Sequence, residues 1–450
     1  MTDKFNTPQC IECRLVLIDT DSTRILTTAG AAGALLPRES ILAYTRVAES
    51  LTEAVDRKYG LRTIQLALLS EAEESGYCAV HEIIGVRQAL PRLLSFATLD
   101  EFDCSELDNE ERAIVLKIIR GEASELGRFA QLGWLDKLLA KAGIRQDRSA
   151  SPIIRQLNQG IDFCLLSLID SAGRIVWFKA VGEPNTREYA LTQELTRRFP
   201  SYLPKILATV PEWNGWVMED VKGVPLNESD SMNQCEQALT ALAVMQKGMA
   251  NDVASLSALG AKDWTCGRIS SQLEPFFQEA HYAMQAQTSM KSRPLGSNEL
   301  FQLKREIESA FRQFMDAGVP ETLLHGDIGH GNVLATATGP VFLDWAETYF
   351  GHPFLSAEHL LADLARSNPL FAEKRSGLRS FYADHWEAYV QPGELEKVTL
   401  LAPAMAAFAY AVIAWDANRG QPDPTQAWPL LRSMLRRTKR ELEQASEAIA

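Results

Sequence analysis

Residues 323–334 read LLHGDIGHGNVL, and residues 341–347 read VFLDWAE. Two apolar, strand-like fragments at 332–335 and 341–343 flank the turn 336–340, a pattern that predicts a β-hairpin. Such a hairpin would bring Asp327, Asn332 and Asp344 to one edge. Carboxylate and amide oxygens are ligands for hard cations such as Mg²⁺, and phosphoryl transfer also needs a carboxylate that accepts a hydroxyl proton. This stretch therefore predicts a site suited to phosphoryl transfer.

The motif HGDxxxxN, followed by an apolar strand and Asp, resembles the aminoglycoside phosphotransferase and choline kinase group of small-molecule kinases, which share the protein-kinase fold. The resemblance covers about residues 150–450. It implies that Asp327 is the catalytic base, that Asn332 and Asp344 are Mg²⁺ ligands, and that His325 braces the loop. The five-residue step from Asp327 to Asn332 equals that of the protein-kinase catalytic loop.

A second segment resembles the nucleotide-binding lobe of that family. Residues 176–181 read VWFKAV, a strand in which Lys179 stands among apolar neighbours. In the family, such a lysine contacts the nucleotide phosphates and pairs with a glutamate of the following helix. Glu188 and Glu194 are the two candidates in the helix expected over 187–198. The resemblance favours Glu188, because the family glutamate lies near the start of this helix.

Two further segments resemble the parts of the lobe that hold the nucleotide base and cover the phosphates. Residues 216–223, WVMEDVKG, resemble the adenine-binding hinge and supply Met218 and Glu219. Gly160, in LNQGIDF at 157–163, is the one glycine available for a phosphate-covering loop. The chain carries no GxxxxGK[ST] motif, so a P-loop nucleoside triphosphatase has no support. The implied cofactors are ATP, or another nucleoside triphosphate, and Mg²⁺.

The acceptor site can be assigned only to candidate residues. His330, Glu347 and His352, together with Glu358, fall where the family begins to build this site. The step from His325 to His330 is not a zinc-binding spacing, so a zinc site is not expected. The implied partner is a small molecule that carries a hydroxyl group, and its identity stays open.

Composition restricts the class of protein. The chain has 450 residues, 46% of them hydrophobic, and a formal net charge of −13, which argues against binding nucleic acid or an anionic membrane surface. Seven scattered cysteines and an N-terminus without a secretory signal favour a cytoplasmic protein with reduced thiols. The apolar run 400–415 contains Pro403 and is shorter than a membrane span, so it predicts a buried core helix. The oligomeric state cannot be inferred.

The expected fold class is α+β, with three domains. Periodicity lapses over 141–152, KAGIRQDRSASP, which is typical of a linker. We therefore expect a separate α/β layer domain at 1–145, a small mixed-sheet kinase-like lobe at 150–225 and a mostly helical lobe at 226–450. The catalytic loop falls at 323–347.

The N-terminal region is similar to the Nudix fold. Strand patterns at 14–19, 24–27, 63–69 and 77–84 surround a helix expected over 40–59, which ends at Gly60. Ala54, Arg57 and Lys58 occupy the positions of the metal-binding glutamates, so a Nudix-like domain here would not hydrolyse pyrophosphates. An unrelated α/β layer domain fits the same pattern.

These observations favour an ATP- and Mg²⁺-dependent phosphotransferase that acts on a small-molecule hydroxyl. Two alternatives remain at this point. The first is a nucleotide-binding regulatory protein, similar to a pseudokinase, without turnover. The second is a bifunctional hydrolase and kinase, against which the lost glutamates of the N-terminal region count.

Overall fold

The computed structural model describes residues 10–29, 34–43, 45–72, 76–101, 106–144, 153–169, 172–250, 252–329, 331–391 and 393–449. The chain forms two compact units. The first comprises Met1–Tyr189 and Lys205–Asp220, and the second comprises Ala190–Pro204 and Val221–Ala450. The fold is mixed α+β, as predicted, with the sheets concentrated in the first unit and the helices in the second. The three predicted domain boundaries stay a prediction.

The N-terminal part of the first unit is a seven-stranded sheet with three helices. Its central strands pair in the order β3-β2-β1-β6-β5, with β1 and β6 parallel, while β4 pairs with β1 and β7 with β2. The bounds are β1 (Cys10–Asp19), β2 (Ile25–Ala29), β3 (Ala34–Leu35), β4 (Arg38–Leu42), α1 (Val47–Tyr59), β5 (Leu61–Ala72), β6 (Gly76–Val86), β7 (Leu94–Ala97), α2 (Asn109–Arg120) and α3 (Trp134–Lys141).

Local sequence accounts for the ends of the helices here. Gly60 ends α1 with φ +67°, a conformation that glycine adopts without steric cost. Asp108 and Glu111 form a capping box at the start of α2. The first helix was expected from residue 40 but begins at Val47, because Arg38–Leu42 instead pairs antiparallel with β1.

A five-stranded antiparallel sheet completes the first unit, in the order β11-β12-β10-β9-β8. The predicted strand at 176–181 and the helix at 187–198 are confirmed, and four other strands complete the sheet. The bounds are β8 (Ile154–Gln159), β9 (Cys164–Ile169), β10 (Ile175–Ala180), β11 (Ile206–Val210) and β12 (Gly215–Glu219). The helix α4 (Arg187–Arg198), between β10 and β11 in the chain, begins in the first unit and belongs to the second from Ala190 onward.

The two sheets of the first unit share one apolar core. The ring of Phe129 lies 6.3 Å from that of Phe178 in β10 and 5.7 Å from that of Trp213 after β11. The side chain of Gln156 in β8 accepts from Gln65 N at 2.7 Å and donates to Gln65 O at 3.1 Å, as a neighbouring strand would. The separate N-terminal domain and its Nudix-like identity are therefore not confirmed.

The second unit is mostly helical and holds two three-stranded sheets, β13-β16-β17 and β14-β18-β15. Its elements are β13 (Gly223–Pro225), α5 (Met232–Met249), α6 (Val253–Ala258), β14 (Lys262–Trp264), α7 (Cys266–Ser271), α8 (Leu273–Gln285), α9 (Ser297–Asp316), β15 (Thr322–His325), β16 (Val333–Thr336), β17 (Gly339–Phe342), β18 (Thr348–Gly351), α10 (Phe354–Ser367), α11 (Pro369–Asp384), α12 (Glu394–Asn418) and α13 (Trp428–Ile449).

The predicted hairpin is confirmed, with a tighter turn than expected. Thr336 pairs with Gly339, so only two residues separate β16 from β17. Gly339 has φ +127°, in the range that favours glycine, and this allows the short connection.

The most apolar helix is α12. By length and composition it could cross a membrane, and 67% of its most apolar window is buried inside the protein. Met405 and Phe408 are fully buried in the core of the second unit. The helix therefore packs as the buried core element that its sequence predicts.

Candidate active site

The catalytic loop lies between β15 and β16 and is closed by a contact between its two most important residues. The side-chain amide of Asn332 donates to Asp327 O at 2.8 Å and to Asp327 Oδ2 at 3.1 Å. Asn332 N in turn donates to Gly329 O at 3.1 Å. The sequence prediction that Asp327 and Asn332 lie together is thus met by a direct hydrogen bond, which fixes the orientation of the carboxylate.

The side chain of His325 connects two segments of the loop through hydrogen bonds. Its Nε2 donates to Leu343 O at 2.8 Å, and its Nδ1 accepts from Asp327 N at 3.3 Å. The imidazole ring lies 4.5 Å from that of Trp345. One neutral tautomer satisfies both hydrogen bonds, so the ring connects the loop to the end of β17 without carrying charge.

Asp344 follows β17 in an uncommon backbone conformation. Its φ is +57°, in the left-handed region that few residues other than glycine occupy. The adjacent Leu343 N donates to Asn332 O at 2.8 Å, which ties the segment of Asp344 to that of Asn332. Backbone strain of this kind persists where the surrounding structure enforces it, and it concentrates at functional sites.

The donor set of this loop suits Mg²⁺. Because both hydrogen bonds to Asp327 use the amide nitrogen of Asn332, the amide oxygen remains as a potential ligand beside the carboxylate of Asp344. Within the described ranges, no group of three or more His, Cys, Asp or Glu side chains forms a metal cluster. Mg²⁺ is commonly held by one or two protein oxygens together with substrate phosphates, so the residues present fit it.

A cavity of about 440 Å³ opens beside Asp327. The loop contributes Asp327 and Glu347, and the remaining walls come from α10, α12 and α13. The α12 wall is built mainly of alanines, with Tyr410 among them. The volume is that of an ordinary small-molecule site, apolar over much of its surface and polar at one end.

The residues predicted to contact the substrate differ in their positions relative to the cavity. Glu347 lines the cavity, where its Oε2 accepts from the Tyr349 hydroxyl at 2.6 Å. Glu358 also lines it, and it is buried in ion pairs with Arg375 and Arg379. His330 lies outside the described residues.

His352 does not reach the cavity, which corrects its assignment as a substrate residue. It is 1% exposed, and its ring lies 4.4 Å from that of Phe314 and 5.5 Å from that of Phe354. Burial lowers the pKa of His352 to about 3. Apolar neighbours on both sides keep this side chain in the core as a neutral ring.

Sequence reasoning missed His359, which α10 presents to the same cavity. Burial lowers its pKa to about 4, against the opposing effect of the Asp327 charge. Its ring lies 5.6 Å from that of Tyr410. The only sequence signal was its position next to Glu358, and helix periodicity alone could not show that both neighbours line the cavity.

Lys179 forms its ion pair within the first unit. Its Nζ lies 2.6 Å from Glu188 Oε1, and the two side chains are 9% and 2% exposed. Glu194 instead binds Arg197 and Arg198, which lower its pKa to about 2. The structure therefore brings together the pair that the resemblance favoured.

The remaining nucleotide-site candidates lie in turns and strand ends of the first unit. Gly160 N donates to Phe163 O at 2.8 Å and closes the turn between β8 and β9. Met218 pairs with Trp177 inside the sheet, and Glu219 N donates to Lys205 O at 3.0 Å. The backbone amide of Glu219 is thus already used, so any free hinge donor must come from residues after it.

Comparison with known families agrees with this geometry. Residues 180–395 match the model of the phosphotransferase enzyme family. The matched segment, just under half of the chain, includes Asp327, Asn332 and Asp344. The resemblance drawn from the catalytic-loop motif, and the class of small-molecule kinase that it implies, are confirmed at this level.

Several solved structures are similar at low identity. A Plasmodium vivax ethanolamine kinase is 11% identical with a TM-score of 0.46, covering 76% of this chain and 95% of its own. A choline/ethanolamine kinase family protein from Mesorhizobium loti is 15% identical with a TM-score of 0.45, covering 69% and 95%. A macrolide 2'-phosphotransferase from Brachybacterium faecium is 14% identical with a TM-score of 0.42, covering 68% and 97%. No curated relative matches the chain in sequence.

Proposed function

We propose that this protein transfers the γ-phosphoryl group of ATP to a hydroxyl group of a small molecule in a Mg²⁺-dependent reaction. The observation that carries the proposal is the position of Asp327. Its carboxylate is oriented by Asn332 and lines a cavity of about 440 Å³. The match of residues 180–395 to the phosphotransferase family model supports the type of reaction.

Asp327 acts on the acceptor hydroxyl. Its Oδ2 is held by Asn332, so the carboxylate meets an acceptor in the cavity at a fixed angle and accepts the hydroxyl proton as the phosphoryl group is transferred. His325 keeps the loop backbone in register through Asp327 N and Leu343 O. Catalysis of this reaction rests on positioning and electrostatics, which such a rigid loop supplies.

Asn332 and Asp344 would hold the Mg²⁺ ion. When bound, this ion neutralises charge on the nucleotide phosphates. In the first unit, Lys179 would contact nucleotide phosphates, with Glu188 fixing its ammonium group. The turn that contains Gly160 and the segment after Met218 and Glu219 would contact the rest of the nucleotide.

The central test replaces Asp327 with Asn, which keeps the size and the hydrogen bond from Asn332 but removes the base. ADP release is measured with ATP and Mg²⁺ against a pooled library of small hydroxyl compounds. We expect acceptor-dependent turnover in the wild type and a fall in kcat of roughly 10²- to 10⁴-fold in Asp327→Asn, because a general base contributes about that much.

Asp384→Asn is the matched control, because Asp384 is an exposed aspartate at the end of α11. It should turn over the same acceptors at the wild-type rate. Equal turnover by Asp327→Asn and the wild type would contradict the assigned role. Tight nucleotide binding without turnover of any hydroxyl compound would favour a regulatory protein instead.

A further inference from the structure

A second cavity, of about 390 Å³, lies in the first unit. It is bounded by the face of α3, the turn between β8 and β9, and the turn between β11 and β12. The side chains that matter here are Arg128, Trp134, Lys137, Lys141, Asp162 and Glu212. Apart from Asp162, which belongs to the turn that contains Gly160, none of them lies in a segment assigned above to phosphoryl transfer.

Two residues that line this cavity carry buried hydrogen-bond donors without a partner among the described residues. Trp134 is 1% exposed, and within the described part of the chain its indole Nε1 has no hydrogen-bond partner. The same holds for the buried Nη1 of Arg128. Buried polar groups are usually paired, since leaving one unpaired costs free energy. Two such donors at one cavity indicate an acceptor that comes from outside.

The acceptors on the same wall are already occupied. Asp162 Oδ1 binds Arg128 Nε at 3.0 Å, and Glu212 binds Lys141. Lys137 lies one turn after Trp134 on the same face of α3 and forms no ion pair with any described residue. The positive charge of Lys137 therefore has no counterion among the described residues of this wall. The unpaired donors of Trp134 and Arg128 add to it.

We propose that this cavity is a binding site for a small molecule that carries a phosphate or carboxylate group. Arg128 and Lys137 would bind the oxyanion, with the indole N–H of Trp134 as a third donor. A guanidinium presents parallel donors that match such anions, and charged hydrogen bonds of this kind are the stronger ones. The aromatic face of Trp213 borders the same space and would contact the rest of the molecule.

The site is connected to the turn that contains Gly160. Asp162 belongs to this turn and forms an ion pair with Arg128. The bound anion would interact with the same guanidinium group. Gly127 packs against the turn so closely that a Cβ atom there would collide with Ile161 O. An anion that binds Arg128 therefore weakens its bond to Asp162, and the site and the turn are energetically coupled.

Isothermal titration of the full chain with inorganic phosphate, and separately with benzoate, tests the site. Lys137→Gln should fold normally, because Lys137 is exposed and unpaired among the described residues. We expect saturable binding of at least one probe by the wild type, weakened at least tenfold in Lys137→Gln and in Arg128→Gln. Preference for phosphate or for benzoate distinguishes the two anion classes.

Lys291→Gln is the matched control, an exposed lysine in the second unit. It should bind both probes as the wild type does. Phosphate that bound at another site would not be weakened by Lys137→Gln, so the two variants together locate the binding. Binding of neither probe to the wild type, or equal binding to the wild type and Lys137→Gln, would overturn the proposal. Neither outcome depends on phosphotransferase activity.

Hydrogen–deuterium exchange tests the coupling. The binding probe should change exchange in the segment 154–169, which includes the Gly160 amide, in the wild type and in Lys291→Gln. Lys137→Gln should show no change at the same probe concentration. Binding without any change of exchange in this segment would refute the coupling and leave the site itself supported.

Discussion

At the residue scale, the buried ion pair of Lys179 and Glu188 is the contact whose disruption we expect to lower the free energy of unfolding substantially. Both side chains are nearly excluded from water and lie 2.6 Å apart. An ion pair in this setting gains less than its Coulomb energy suggests, because both charges lose hydration. Removing one partner is nevertheless costly, since the remaining charge stays buried without its counterion.

We predict that Glu188→Gln lowers the free energy of unfolding by about 3 kcal/mol, as measured by urea denaturation. Glu194→Gln serves as the control on the same helix. Its partner Arg197 is 68% exposed, so the change there should stay within about 1 kcal/mol. Similar losses for the two variants would show that burial does not set the strength of these pairs.

The choice between the two glutamates was predictable in part from helix geometry. Six residues separate Glu188 from Glu194, which places them about 120° apart around α4, so only one can face a given neighbour. The family resemblance then selected Glu188. No such rule existed for His352 and His359, because the burial of each depends on Phe314 and Tyr410, which are distant in sequence.

At the element scale, the start of α7 shows how a distant residue completes a helix. Thr265 caps the helix by accepting from Arg268 N at 3.2 Å. Glu321, just before β15, accepts from Cys266 N at 2.8 Å. Burial raises the pKa of Glu321 to about 7, although the bond from Cys266 opposes this change. The carboxyl group therefore stays partly protonated near neutral pH.

This raised pKa predicts a pH dependence of stability. The folded state keeps the Glu321 proton up to about pH 7, whereas the unfolded chain releases it near its ordinary pKa of 4.5. The contribution of this group is therefore fully present below pH 4.5 and declines as the pH rises through about 7. Glu321→Gln should remove that decline.

Urea denaturation between about pH 5 and about pH 8 measures the effect. The free energy of unfolding of the wild type should fall relative to that of Glu321→Gln as the pH rises. Glu373→Gln, at an exposed position on α11, should follow the wild type over the whole range. Parallel curves for the wild type and Glu321→Gln would contradict the raised pKa.

Element prediction failed where pairing partners are distant. The helix end at Gly60 and the capping box at Asp108 are local and were readable from sequence. Strand β8, with the sequence IRQLNQ, lacks a clear alternation and is recognised only through its pairing with β9. Residues 40–42, expected to begin the first helix, instead belong to strand β4. Local sequence could not show this, because the partner strand β1 lies more than twenty residues away.

At the scale of the whole molecule, one apolar cluster of the first unit joins its two sheets, and a second cluster lies within the N-terminal sheet and α1. The lapse of periodicity over 141–152 indicated a linker, but it could not show whether the segments on either side pack together. Phe129, Phe178 and Trp213 come from both sides of it and form edge-to-face contacts. We infer that the N-terminal sheet and the five-stranded sheet unfold together.

We predict that Phe129→Ala lowers the free energy of unfolding by about 3–5 kcal/mol, because it leaves a cavity at this shared core. Circular dichroism and tryptophan fluorescence should report one coincident transition for the first unit. Phe301→Ala is the control, since Phe301 is 64% exposed. Two separate transitions, only one of them shifted by Phe129→Ala, would show that the sheets fold independently.

The central claim concerns the whole protein as a phosphotransferase, and following the phosphoryl group tests it most directly. ATP labelled with ¹⁸O in its γ-phosphoryl group is incubated with Mg²⁺, the protein and the pooled hydroxyl compounds, and the products are examined by mass spectrometry. We predict that the label appears on one class of hydroxyl compound, and that Asp327→Asn slows this transfer by roughly 10²- to 10⁴-fold while Asp384→Asn does not. Label found only in inorganic phosphate, or transfer by Asp327→Asn at the wild-type rate, would contradict the account.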